Sequence, residues 1–407
     1  MAFITNKKVK IFVGEVLEGM NYLKASKSHF ADQFSGKKNG ESYYFVLRDA
    51  GNPTSGIAIT DSDDASVVEK EVKLTIAHKK SVVDLTVVQS CVEVEDFKTE
   101  IGDTFALRLG AEIQKDVIAA NFFKSMVATF PATGSESGWP ALSKASAFLR
   151  STRNGAKVSG YLSPEAEANL SVNALNNFKF TPSSVAEKLY GENAVGNFGG
   201  ATYVATMDTP MVTCPAASAI SGISAISATT AVGVGTLYLT APTGNTAILP
   251  AGLPLQLSNA YACNSVGMRT ATKMSFILQS PVTLAGATPV AATVQSIIPE
   301  DIGARNIYIE GVGSASAVSG ALTCPLSAGV VYDVAQIRTN DVMNWDNVPL
   351  DDLTIGETVN GELGGIKIKA TKYSDGDLLK NRTRWDVSYL AGIVDERFCA
   401  NAYLPRT

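Results

Sequence analysis

The sequence predicts an α+β chain in which a charged host domain carries an inserted, nearly uncharged β module. Three observations predict it. Apolar residues at i, i+4 spacing mark one long helix over residues 96–128. Period-two alternation marks strands within residues 41–89 and again near the C-terminus. Charge is spread unevenly: residues 212–345 hold nine charged side chains in 134 positions, and residues 209–268 hold none.

The bulk numbers bound the class. A chain of 407 residues suits two or three packed domains, and 45% hydrophobic with 18% charged residues excludes wholesale disorder. The net charge of -5 argues against a dedicated sequence-reading DNA binder, which is usually strongly basic. Two histidines, His29 and His78, nearly close off chemistry that needs clustered imidazoles. The cysteines (Cys91, Cys214, Cys263, Cys324, Cys399) show neither metal-knuckle nor redox spacing, so reduced, mostly buried thiols in a protein assembled in a reducing cytoplasm are expected. The first ten residues lack the apolar run of a signal peptide. The uncharged stretch is too rich in Ser, Thr and Gly to read as a membrane span.

Residues 1–40 read as a basic arm: seven lysines (Lys7, Lys8, Lys10, Lys24, Lys27, Lys37, Lys38) face Glu15, Glu18 and Asp32. Val9, Phe12, Val13, Val16, Leu17 and Met20 recur at helical spacing, giving a short amphipathic helix. It is either an ordinary helix with one solvated face or an arm reaching a neighbour or an anionic partner. Residues 41–95 follow as an extended β excursion. Tyr43-Tyr44-Phe45-Val46-Leu47 and Val72-Lys73-Leu74-Thr75-Ile76 are its strands, with a turn expected at Lys79-Lys80 and strand resuming from Val82 to Val88.

The long helix carries Phe97, Ile101, Phe105, Leu109, Ile113 and Val117, continued by Ile118, Phe122 and Met126, with Gly102 and Gly110 as weak points. About 33 residues would span roughly 50 Å. Trp139-Pro140 opens a second helix to about Arg153, and residues 157–162 read as a strand. Ser163-Pro164-Glu165 is a helix start with serine as cap and proline in the first turn. Residues 184–190 give another short helix, and residues 199–210 a strand ended by Pro210. Within the insert, residues 236–240, 254–257, 273–278, 291–297 and 306–310 are short strands, suggesting a small barrel or sandwich. Residues 364–373 and 383–393 flank Ser374-Asp375-Gly376-Asp377 as an antiparallel hairpin.

Catalytic signatures are missing from the sequence: it contains no phosphate loop, no Gly-x-Gly-x-x-Gly, no hydrolase elbow and no His-Glu-x-x-His. Asp61, Asp63 and Asp64, and Asp375 with Asp377, lack the partners of a calcium loop and read as solvated turns. Neither cofactor nor metal is expected.

Two stretches carry a family resemblance. Val195-Gly196-Asn197-Phe198-Gly199-Gly200-Ala201-Thr202-Tyr203-Val204, through Thr209-Pro210, resembles the glycine-then-strand passage into the axial domain of the major capsid proteins of tailed double-stranded DNA bacteriophages, the fold typified by phage Hong Kong 97. Ile366-Lys367-Ile368-Lys369, Lys372-Tyr373-Ser374-Asp375-Gly376-Asp377 and Arg384-Trp385-Asp386-Val387 resemble the C-terminal hairpin of coat proteins from short-tailed enteric phages, which also carry an inserted β-barrel domain.

The resemblance implies an N-terminal arm (1–40), an extended loop (41–95), a spine helix with peripheral and axial domains (96–211), an inserted domain (212–345) and a return through the C-terminal hairpin (346–407). It implies self-assembly into hexamers and pentamers of an icosahedral virion head, with a scaffolding protein, a portal and non-specifically held DNA as partners and no membrane. A bacterial encapsulin-like compartment shell is the alternative. Tyr43, Tyr44, Phe45, Arg48, Lys79 and Lys80 are the expected subunit contacts, aromatic and arginine side chains being typical anchors. Lys7, Lys8, Lys10, Lys24 and Lys27 are expected on the inner face or against the scaffolding partner.

Overall fold

The computed structural model describes residues 6–18, 20, 42–49, 68–84, 98–131, 138–153, 156–177, 196–207, 209–229, 235–242, 246–299, 305–310, 318–340, 342, 344–348, 357–363, 366–375 and 380–406. The expected helix over 184–190 lies outside them. The chain forms two compact units: Met1–Tyr44 with Lys73–Asn121 and Met343–Ile393, and Phe45–Val72 with Phe122–Val342 and Val394–Thr407. Both mix helix and strand, as the α+β reading expects.

The first unit is organised by a sheet of six strands: β1 (Ser42–Asp49), β2 (Val68–Asp84), β20 (Trp345–Asn347), β21 (Glu357–Leu363), β22 (Ile366–Asp375) and β23 (Lys380–Ala391). The order is β1-β2-β23-β22-β21, with β20 also pairing β23. The predicted C-terminal hairpin is β22–β23, in register from Lys369↔Asp386 to Asp375↔Lys380. Alternation explains its two faces. Ile366, Ile368 and Ala370 on β22, and Trp385, Val387 and Tyr389 on β23, are buried, while the intervening residues point the other way.

Helix α1 (Asn6–Glu18) packs on the buried face. Its Val9, Phe12, Val13 and Val16 are fully buried, and Phe12 stacks on Trp385 with ring centroids 4.0 Å apart and planes 9° from parallel. The helical part of the expected arm is thus a core element of its own unit. Beside it a π-helical stretch (Lys98–Ala106) runs into α2 (Leu107–Asn121). Gly110, a weak point by propensity, is where α1 crosses: a Cβ there would overlap the Val16 carbonyl. Gly361 of β21 likewise leaves room for Val9.

Two expectations fail in this unit. The helix does not reach residue 128. It ends at Asn121, whose Nδ2 donates to the Asn344 carbonyl at 2.6 Å. Phe122 and Phe123 form a turn, and the Phe122 carbonyl is taken by Asn401 Nδ2 at 2.9 Å and Gln336 Nε2 at 3.3 Å. Tertiary partners at that carbonyl outweigh the apolar i+4 row. Nor is there a turn at Lys79-Lys80: β2 passes straight through, with Lys79↔Val387 and Lys80↔Asp386 in register, so residues 76–84 are part of the sheet.

The second unit is built on a seven-stranded sheet: β3 (Val127–Thr129), β4 (Val158–Leu162), β5 (Asn197–Phe198), β6 (Ala201–Ala205), β7 (Met211–Thr213), β19 (Val331–Thr339) and β24 (Cys399–Pro405). Its order is β3-β24-β19-β4-β6-β5, with β7 on β19. The expected strand over 199–210 is shorter, since Gly199 and Gly200 form the positive-φ turn between β5 and β6. Helix α3 (Trp139–Thr152) covers β24 and β19. Ser163 caps α4 (Pro164–Asn177), its Oγ accepting the Ala166 N–H at 2.9 Å as the sequence predicts.

The insert is antiparallel β structure after one short helix, α5 (Ala217–Ile220). Its strands are β8 (Ser224–Thr229), β9 (Gly235–Thr240), β10 (Thr246–Leu249), β11 (Pro254–Leu257), β12 (Ala260–Cys263), β13 (Arg269–Lys273), β14 (Phe276–Ile277), β15 (Val282–Ala285), β16 (Val290–Val294), β17 (Ile307–Ile309) and β18 (Gly320–Thr323). They form sheets β14-β11-β18-β8-β9-β16, β13-β12-β17 and β10-β15. The expected strand over 273–278 is interrupted at Met274 and Ser275 between β13 and β14. The module is also narrower than 212–345. Strand β19 belongs to the host sheet by its pairing with β24, β4 and β7, which confines the insert to residues 214–330. Its neck is fixed by Cys214 N–H to the Val330 carbonyl and Gly329 N–H to the Cys214 carbonyl, both 3.0 Å.

Between β24 and the insert, the fully buried Glu396 accepts the Ser296 N–H at 2.6 Å. Burial pushes its carboxyl up to about 7, against a smaller opposing pull from Lys124. The folded state therefore holds the proton more tightly than the unfolded one. The stability this gives is full below about pH 4.5 and lost as pH rises through 7. Denaturation of Glu396→Gln followed from pH 4.5 to 7 should show that loss, of about 3 kcal/mol in the parent, largely removed. In the first unit, Trp385→Ala should lower unfolding free energy by about 3–5 kcal/mol in urea titration, because the ring and its stack on Phe12 are lost together.

Candidate assembly surfaces

Strand β23 presents opposite chemistries on its two sides. On the α2 side, Tyr389 donates to Asp116 Oδ2 at 2.7 Å, and Lys79 Nζ lies 3.0 Å from the same oxygen. Burial, reinforced by Asp116, raises the Tyr389 hydroxyl above its ordinary range. Lys79 is thus tied to its own chain through a half-exposed pair of the sort worth about 1 kcal/mol or less.

On the other side lie Arg384, Asp386 and Ser388 of β23, with His78 and Lys80 of β2 and Lys367 and Lys369 of β22 in the same rows. Asp386 is the hub. Its Oδ1 lies 2.9 Å from His78 Nε2 and accepts from Arg384 Nε at 2.7 Å, while His78 Nδ1 meets Ser388 Oγ at 3.0 Å. With Asp386 4% and His78 11% exposed, this is a nearly buried polar cluster, ringed by the exposed Lys80 and half-exposed Lys367 and Lys369. A turn at Lys79-Lys80 would have left His78 at the end of a strand. It sits mid-strand, because no turn follows. The alternation Ile366-Lys367-Ile368-Lys369 was the available signal for a basic face, but joining it to Lys80 and Arg384 requires the register.

The other predicted contact residues are dispersed. Tyr43, Tyr44, Phe45 and Arg48 lie on β1, next to β2, and their side chains lie outside the described residues. Lys7, Lys8 and Lys10 are on α1, with Lys8 half-buried and Lys10 exposed; Lys24 and Lys27 lie outside the described residues.

The second unit contributes apolar surface the sequence reading did not single out. Met207 is 72%, Met211 55%, Ile248 69% and Met268 65% exposed. Large side chains left this open are the usual raw material of protein contacts. Among the described residues no group of three or more His, Cys, Asp or Glu could hold a metal ion, and no helix is long and apolar enough to cross a membrane.

Removing the hub carboxylate would leave the Arg384 guanidinium and the His78 ring without the oxygen they share. Asp386→Ala should therefore cost about 3 kcal/mol in urea denaturation, whereas Lys80→Ala, on the same face, should leave the transition midpoint nearly unchanged.

No protein-family model and no curated protein matches the chain. Among solved structures, it is similar to the capsid of the cyanophage P-SCSP1u, at 10% identity and TM-score 0.43 over 93% of this chain and 88% of that one. It is similar to the capsid of Ralstonia phage GP4, at 9% identity and TM-score 0.37 over 93% of this chain and 92% of that one. The virus-like particle from Pyrococcus furiosus is a weaker likeness, at 11% identity and TM-score 0.27 over 74% of this chain and 92% of that one. Over most of its length the chain is similar to phage capsid structures.

Proposed function

We propose that this chain is a major capsid subunit of the Hong Kong 97 type. It assembles with copies of itself into the hexamers and pentamers of an icosahedral head that encloses double-stranded DNA. The role is structural and non-enzymatic, assembly takes place in the host cytoplasm, and scaffolding protein, portal and non-specifically bound DNA are the other partners.

The order of parts is the observation that supports this reading most. A helix (α1) and a long hairpin (β1–β2) precede the spine formed by the π-helical stretch and α2. A sheet domain follows, interrupted between β7 and β19 by the low-charge module, and the β22–β23 hairpin closes the first unit. These are the parts the family resemblance implies, in the same sequence. A shell subunit must meet slightly different neighbours at its several positions, which calls for rigid, helix-backed cores joined to adaptable contacts. The exposed Met207, Met211, Ile248 and Met268 would be covered in such contacts.

Purified full-length protein should sediment as closed shells visible by negative-stain microscopy. Monodisperse monomers at high concentration would overturn the reading, and particles isolated from cells with a packaged protein in place of DNA would favour the compartment-shell alternative. Excising residues 50–67, which connect β1 to β2, should leave a soluble subunit that no longer closes shells; normal shells from that variant would remove the loop from the assembly contacts.

A further inference from the structure

We infer that Cys214 and Cys324 are a latent disulfide site that locks the neck of the inserted module. The two sulfurs lie 3.9 Å apart across 110 residues of sequence, close enough to hydrogen bond and outside the roughly 2 Å of a covalent bond. Their positions are constrained by the fold. Cys214 leaves β7 and is held by backbone hydrogen bonds to Gly329 and Val330, where the chain re-enters the host sheet. Cys324 directly follows β18, the last strand of the module. One bond between them would close nearly the whole insert into a covalent loop, the arrangement in which a cross-link restricts the unfolded chain most.

The two thiols are not equivalent. Cys214 is buried, at 1% exposure, whereas Cys324 is half-exposed. The hydrogen bond from the Cys214 thiol lowers the pKa of Cys324, and the same contact together with burial raises that of Cys214. This assigns an order of events with a low-molecular-weight disulfide as oxidant. The Cys324 thiolate attacks one sulfur of the oxidant and expels the other as a thiolate, leaving a mixed disulfide on Cys324. Cys214 then loses its proton to solvent, attacks Cys324 Sγ and expels the second small thiolate. Two protein thiols become one disulfide, and one small disulfide becomes two small thiols. Cys263 and Cys399 are fully buried, and burial raises the Cys399 thiol, so neither competes for the first step.

The inference does not depend on the assembly reading, and its test reads covalent chemistry. Full-length protein, folded by circular dichroism, is treated with oxidised glutathione, alkylated, digested without reductant and analysed by mass spectrometry. The expected result is a Cys214–Cys324 linked peptide, loss of two of the five thiols, a higher thermal unfolding midpoint, and reversal of all three by dithiothreitol. Cys214→Ser should stop at a glutathione adduct on Cys324, Cys324→Ser should form neither adduct nor bridge, and Cys399→Ser should bridge normally. A stable adduct on Cys324 in the parent protein, linkage between other cysteines, or five unreacted thiols would each overturn it.

Discussion

Strand β23 has to satisfy two surfaces at once, and the first unit is arranged around that demand. Its odd-numbered residues, Trp385, Val387 and Tyr389, bury against α1 and α2, and its even-numbered residues, Arg384, Asp386 and Ser388, form the polar cluster with His78. Three neighbours, β2, β20 and β22, hydrogen bond along its edges. A one-residue slip in any of these pairings would drive Asp386 toward the apolar side and Trp385 toward the polar one. The Phe12–Trp385 stack and the Asp386 cluster therefore pin the same register from opposite faces.

A related economy holds in the second unit. A module with so few charges could slide or detach where it meets its host, and polar contacts are concentrated there. The neck is tied by paired backbone bonds at Cys214, and Glu396 reaches the Ser296 N–H from beside β24. Arg338 is buried in β19, where its Nη2 donates to Tyr161 at 3.1 Å and its guanidinium lies 4.5 Å from the ring centre. Buried ionisable groups contribute little net stability but penalise alternative packings heavily.

Legibility differed by residue. Ser163-Pro164 announced its helix because capping is settled within four residues of chain. The β22–β23 hairpin was readable because its pattern has the period of the structure it forms. The helix end at Asn121 was not readable: Phe122 and Met126 continue the apolar row, and only the arrival of Asn401 and Gln336 at the Phe122 carbonyl ends it. Lys79-Lys80 looked like a turn because paired lysines favour solvent, yet Asp116 and the β23 register hold them in a strand. The far boundary of the insert was misplaced because charge stays sparse over residues 311–345, which hold only Asp333, Arg338 and Asp341, while the pairing that puts β19 in the host sheet leaves no trace in composition.

By itself the sequence determined what depends on neighbours a few residues away: the amphipathic α1, the capped α4, the alternating hairpin and the existence of a low-charge β insert. Propensity, capping and periodicity act over that range. Tertiary structure alone decided where α2 stops, that His78 meets Asp386, which lysines share a face, and that Cys214 lies beside Cys324. Each of these is a contact between residues more than 100 positions apart, formed only once strand register and helix packing have been chosen for the whole unit.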